Sequence, residues 1–160
     1  MTPVHPDILA ALTTGIQSEA ATYVFYLESS KKAESRDIRE TLQRLAGEEK
    51  THFQILERQY DSLVRSEKWI STADIMKQKG LPKIDEDMTN QHRDLIDKVK
   101  KAKSKREILD MALNLEIEAR DLFKSMSEKS KAKEAKETFN QLAHFEEGHI
   151  KLINSMIAQD

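Results

Sequence analysis

Apolar residues in the region from Ile38 to Leu63 fall at Ile38, Leu42 and Leu45, then at Leu56 and Leu63. Steps of three and four residues mark one face of an amphipathic helix. Carried through the stretch LAGEEKTHF, 45–53, the same seam lands on Glu49 and His52. A carboxylate and an imidazole therefore stand where the pattern calls for core leucines.

The pattern predicts four long helices. The first runs from about Pro6 to Lys32, with Pro6 suited to a first-turn position. The second runs from about Arg36 to Glu67 after Ser35, and the fourth from about Lys131 to Ala158. The third starts after Ser104 and ends near Ser130; Ser104 and Glu107 have the spacing of a capping box. Residues 64–103 lie between the two pairs and are read as a structured connection. Ser71 or Thr72 can cap a short helix there that ends at Gly80, before Pro82. Met88, His92, Leu95, Val99 and Ala102 suggest another amphipathic turn or two, with Trp69 as a packing anchor.

The second half repeats the first at an offset of 97 residues. RETLQRLAGEEKTHFQIL, 39–56, lies over KETFNQLAHFEEGHIKLI, 136–153. Glu40, Thr41, Leu45, Ala46, Glu49 and His52 recur as Glu137, Thr138, Leu142, Ala143, Glu146 and His149. Without a gap, the same offset carries Glu19 onto Glu116. Each half is thus a helical hairpin with the same loop length, and the connection is long enough to let the two hairpins point in opposite directions. The second and third long helices would then be parallel.

Composition narrows the picture. In 160 residues there are only four Gly and three Pro, while 34% are charged and 6% aromatic, which suits long helices with solvated outer faces. A formal net charge of −2 gives no field directed at nucleic acid. The locally basic stretch Lys98 to Arg106 is read as a solvated helix end or connection. The absence of cysteine excludes disulfides, thiolate zinc sites, iron–sulfur clusters and thiol catalysis in this sequence, and suits a reducing cytoplasm. The first residues lack the form of a signal peptide, and no apolar run approaches the ~20 residues of a membrane span. A cytoplasmic protein without nucleic-acid or membrane partners is expected.

Glu49-x-x-His52 and Glu146-x-x-His149 each place an oxygen and a nitrogen one helical turn apart on one face. With 17 Glu and 5 His, roughly 0.5 such pairs arise by chance, so one alone would be weak. Two at matching repeat positions on two core seams are much stronger. Taking the first turn near residue 34, Glu19 and Glu49 are equidistant from it, about 22 Å away at about 1.5 Å per residue. Glu116 and Glu146 stand likewise about residue 131. Four carboxylates in a helical core are costly to ionise unpaired, and two divalent cations would cancel them. The competing reading is a buried ion-pair network, with Arg120, one turn beyond Glu116, as a candidate partner. Tyr26 faces the Glu19 seam seven residues on and could hydrogen-bond a ligand carboxylate; its repeat partner is Phe123. Glu48, Glu147 and Glu118 are expected to point outward, and His5, His92 and His144 to be non-ligands.

One Glu from each of two helices and Glu-x-x-His from each of the other two is the dinuclear carboxylate pattern of ferritin-like bundles. Over nearly the whole chain, the set Glu19, Glu49, His52, Glu116, Glu146 and His149 resembles the ligands of the rubrerythrin and ferritin-like superfamily. The resemblance implies an all-α fold: a ferritin-like four-helix bundle of two repeated hairpins with a long crossover. Residues 1–160 would form a single di-iron domain (hairpin 6–67, crossover 64–103, hairpin 105–158). Three departures refine it. Without cysteine a rubredoxin domain is not expected; Ala119 stands where rubrerythrins carry an extra glutamate; and with only 11 residues after His149 the fifth helix of a cage-forming bacterioferritin is not expected. The chain most resembles stand-alone, rubredoxin-less rubrerythrin-like proteins.

That resemblance implies a non-haem di-iron oxidoreductase that reduces peroxide or O2 with electrons from an external donor, a rubredoxin-like protein or flavoprotein reductase. Two Fe ions are the expected cofactor, Mn or Zn the substitutes, and a homodimer is compatible. The alternatives are iron binding with ferroxidase activity but no cage storage, and hydroxylation of an organic substrate, which needs a pocket beside the metals.

Overall fold

A computed structural model describes residues 6–78 and 90–159. All of the regular structure among these residues is helical: α1 (Pro6–Lys32), α2 (Arg36–Ser66), α3 (Thr72–Lys77), α4 (Arg93–Lys101), α5 (Lys105–Lys129) and α6 (Lys133–Ala158). Serine side chains open three of them. The hydroxyls of Ser35, Ser71 and Ser104 accept from the backbone N–H groups of Ile38, Asp74 and Glu107. At α5 the Glu107 carboxylate accepts from the backbone N–H of Lys103, one residue before the cap. Helix α2 ends one residue earlier than expected, with Glu67 in the left-handed region at φ 56° and its N–H on the Leu63 carbonyl. Helix α6 starts at Lys133, two residues later than expected, after Ala132, whose side chain offers no cap. Gly80, Pro82 and Met88 lie outside the described residues.

The four long helices form a ferritin-like bundle with a core in two clusters. One cluster joins Leu12, Leu56, Leu63, Ile75, Phe123 and Phe139. It gathers the start of α1, the end of α2, α3, the end of α5 and the start of α6. The other joins Phe25, Leu42, Leu45, Val99, Ile108 and Ile153, from the end of α1, the start of α2, α4, the start of α5 and the end of α6. Both α2 and α5 therefore begin at the same end of the bundle and run parallel, so the hairpins α1–α2 and α5–α6 point in opposite directions. Burying these apolar side chains stabilises the bundle by roughly 1.5–3 kcal/mol for each large one.

The connection from α2 to α5 leaves from one end and arrives at the other, and it is pinned at both. Gln59 is fully buried; its carbonyl accepts from Ile70 N at 3.0 Å and its amide donates to the Ile70 carbonyl. Half-buried Trp69 packs on the first cluster, as a crossover anchor should. At the far end the Lys32 ammonium donates to the carbonyls of Val99 (3.0 Å), Lys100 (2.7 Å) and Ala102, which closes the C-terminus of α4. The basic stretch 98–106 is thus the end of α4 and the start of α5. At Gly15, one turn before Glu19, an added Cβ would lie 3.0 Å from Leu56 Cδ1 and 3.1 Å from Phe123 Cε1, so α1 approaches its neighbours closely there.

Candidate metal centre

Between the two apolar clusters the bundle holds a polar layer. Glu19 of α1, Glu49 and His52 of α2, Glu116 of α5, and Glu146 and His149 of α6 are all buried. They form two overlapping groups, Glu19–Glu49–His52–Glu146 and Glu49–Glu116–Glu146–His149. Within each group, one oxygen or nitrogen per residue can be chosen so that all lie within 4.8 Å of one another. Glu49 and Glu146 belong to both, as carboxylates that bridge two ions would.

The contacts cross between the repeats. The Nδ1 of His52 donates to Glu146 Oε1 at 3.0 Å, and His149 Nδ1 donates to Glu49 Oε1 at 2.9 Å. His149 Nδ1 also lies 3.3 Å from Glu116 Oε1. Both rings thus turn Nδ1 toward the carboxylates. They stack on each other with centroids 5.5 Å apart.

The electrostatics are those of an acidic core that holds protons. Burial alone would lower the His52 imidazole, but its close contacts with the carboxylates of Glu146 and Glu49 push it up to about 10. Burial likewise opposes the charge on His149, and the carboxylates of Glu116, Glu146 and Glu49 around it carry it well above the usual histidine range. Burial, and then the charges of Glu146 and Glu49, hold the Glu19 carboxyl far above its ordinary value. Burial and the neighbouring Glu146 push Glu116 up to about 7, although His149 opposes this. Burial and the Glu49 charge would raise Glu146, yet its close contacts with Glu116, His149 and His52 bring it below the ordinary value.

Five of the eight carboxylate oxygens have no hydrogen-bond donor despite full burial: both of Glu19 and the Oε2 atoms of Glu49, Glu116 and Glu146. Such orphaned oxygens are costly unless something positive meets them. Oxygen and imidazole donors in this number suit first-row divalent metals, and the donor set fits two ions that share Glu49 and Glu146. Arg120, the candidate partner in an ion-pair network, instead donates to Glu147 at 3.2 Å and to Asp121 at 3.1 Å.

Tyr26 is fully buried, and its hydroxyl donates to Glu116 Oε1 at 2.6 Å. That length belongs to a charge-assisted bond. Burial, then the charges of Glu116 and Glu49, raise the phenol well above its ordinary value, so it remains a donor. Phe123, its repeat partner, is buried in the apolar cluster beside Gly15.

Two features were not foreseen from the sequence. Glu48 is exposed, as expected, yet its Oε2 lies 2.9 Å from His149 Nε2 and takes the proton on the outer edge of that ring. Glu147, also expected to point outward, is partly exposed and pairs with Arg120. The only signal for Glu48 was its position: one residue before the motif glutamate, where the second repeat has Phe145. Phe145 stacks on His52, centroids 5.0 Å apart. The other feature is a cleft of about 590 Å³ that exposes the outer side of both rings, lined also by Arg44, Glu48, Thr51, Phe145 and Gly148. Glu118 is exposed. His144 is exposed on the cleft wall, His92 precedes α4, and neither joins the cluster; His5 lies outside the described residues. No helix among the described residues is long and apolar enough to cross a membrane.

Comparison with known families places these observations in context. The family model described as Rubrerythrin matches residues 10–106 and 107–160. Neither the curated proteins nor the solved structures gave a match.

Proposed function

The chain belongs to the rubrerythrin family, and from that premise we propose that it reduces hydrogen peroxide, or O2, at a dinuclear iron site with electrons from an external donor. The observation that carries this reading is the set of five orphaned carboxylate oxygens in two groups that share Glu49 and Glu146. Two ferrous ions held there would supply two electrons between them, enough to convert one H2O2 and two protons to two waters.

The chain's own residues would do the rest. Glu49 and Glu146 would bridge the ions, Glu19 and Glu116 would each bind one, and His52 and His149 would each offer Nδ1. Tyr26 holds Glu116 through Oε1 and leaves its Oε2 free for an ion. The two apolar clusters above and below keep bulk water from the site. Electrons from a rubredoxin-like protein or flavoprotein reductase would arrive over the imidazole rings, whose outer side meets the cleft.

The same cleft bears on the hydroxylase alternative. It meets the rings on the side where Glu48 binds His149 Nε2, whereas Nδ1 and the carboxylates lie on the other. An organic substrate in the cleft would be separated from the ions by the imidazoles, so its presence favours electron delivery over hydroxylation.

The test is turnover. Fe(II)-loaded protein mixed anaerobically with H2O2 should consume one peroxide per two Fe(II), and supplied rubredoxin, reductase and NADH should sustain many cycles. Oxidation that stops after one cycle, with ferric iron released, would replace this reading with iron handling. The anaerobic full-length protein failing to oxidise Fe(II) with either oxidant would reject both.

A further inference from the structure

The six ligands obey the 97-residue repeat, but the residues that touch them do not. Glu19, Glu49 and His52 map onto Glu116, Glu146 and His149, whereas Tyr26 maps onto Phe123 and Glu48 onto Phe145. Each of these four bears on the opposite repeat. Tyr26 donates to Glu116 at 2.6 Å, and Glu48 accepts from His149 Nε2 at 2.9 Å. Phe145 stacks on His52, and Phe123 lies against α1 at Gly15, one turn before Glu19. Both polar partners therefore serve the Glu116–His149 position. The Glu19–His52 position has aromatic rings in their place, and both Glu19 oxygens are without a donor.

We propose that the two metal positions are inequivalent, and that the Glu116–His149 position fills first and binds its ion more tightly because Glu48 and Tyr26 pre-organise its ligands. This rests on the two-ion reading of the site. Glu48 acts on His149 in two ways. By accepting the Nε2 proton it keeps the outer nitrogen protonated, so that Nδ1 is the nitrogen an arriving ion takes once its own proton leaves, and it fixes the orientation of the ring. Tyr26 holds the Glu116 carboxylate through one oxygen and leaves the other unpartnered. The ring of Phe145 fixes the plane of His52 but cannot select its tautomer. The first ion would also draw on the shared Glu49 and Glu146, so the second meets a less negative site and the two steps separate further. Glu48 and Tyr26 are positioning residues on this account, not ligands.

Titration of the metal-free, full-length protein with Co(II), followed by calorimetry and visible absorption, tests this without any assay of activity. Two one-equivalent steps are expected. Glu48→Ala changes a surface side chain and should weaken the tighter step by ~10–100-fold, the usual effect of losing such a partner, while moving the weaker step much less. Glu147→Ala removes a comparable partly exposed carboxylate that pairs with Arg120, and should leave both steps in place. His149→Ala should lose the tight step and His52→Ala keep it. Two equivalents that bind with equal affinity in wild type would overturn the proposal and leave the two-ion reading standing. So would a Glu48→Ala profile equal to that of Glu147→Ala, or a tight step lost in His52→Ala and kept in His149→Ala. A total below two equivalents in wild type would overturn both.

Discussion

Replacing His149 by Ala removes one nitrogen from one metal position and leaves α6 intact, since Ala is the best helix former. His52→Ala does the same to the other position, and His144→Ala is the control, an exposed histidine outside both groups. Ions that bind only the folded chain stabilise it by mass action. At a free concentration 100 times the dissociation constant each ion adds about 2.7 kcal/mol. Two ions therefore add about 5 kcal/mol to the wild type and one ion about half of that. At roughly 2–4 °C per kcal/mol for a chain of this size, loading should raise Tm by ~10–20 °C in wild type and in His144→Ala. The rise should shrink in both ligand variants, further in His149→Ala, which loses the tighter position, than in His52→Ala, which keeps it. The metal-free ligand variants should also melt below metal-free wild type, because each loses a cation from a buried acidic cluster, so the quantity to compare is the increment on loading. Thermal scans with anaerobic Fe(II) or with Mn(II), reversed by chelator, give that increment directly. Equal increments in all four proteins, or none in any, would refute the reasoning, because the histidines would then have no part in holding ions.

Glu19→Gln should stabilise the metal-free protein while weakening ion binding, because both Glu19 oxygens are buried without a donor. The gain should grow with pH: the folded-state pKa of Glu19 lies well above 4.5, so wild-type stability falls as pH rises from about 4.5 toward that higher value, and the variant escapes this loss. Chemical denaturation of metal-free protein at pH 5 and pH 8 measures it; a gain that shrinks with pH would contradict the assignment. Gln59→Leu should cost about 1–3 kcal/mol by stranding the Ile70 backbone groups that Gln59 pairs, with hydrogen exchange speeded at Ile70 first. Unchanged exchange there would mean the connection is pinned elsewhere.

Much of this was legible because helical periodicity and capping are local. Ser35 and Ser104 stand just before apolar-periodic runs, and α2 and α5 begin directly after them. Helix α6 lacks such a residue, and it begins two positions after the Lys131 that the pattern suggests. The ligand set could be read because the 97-residue repeat separates a shared constraint from chance. Glu48 could not be read in that way. Periodicity reports which face of a helix a residue occupies, and Glu48 does lie on an exposed one. It does not report how far a long side chain reaches sideways across the gap between α2 and α6 to His149 Nε2. The cleft depends on the shapes of several side chains from separate helices, including the absence of one at Gly148, and no single stretch of sequence encodes it.

The central claim is that the buried carboxylate–histidine layer binds a pair of ions. The most direct measurement is elemental analysis of the full-length protein after anaerobic loading with Fe(II) and removal of loosely bound metal. The account predicts two iron atoms per chain, with each of His52→Ala and His149→Ala reduced toward one. A wild-type plateau at one equivalent or at none would contradict it.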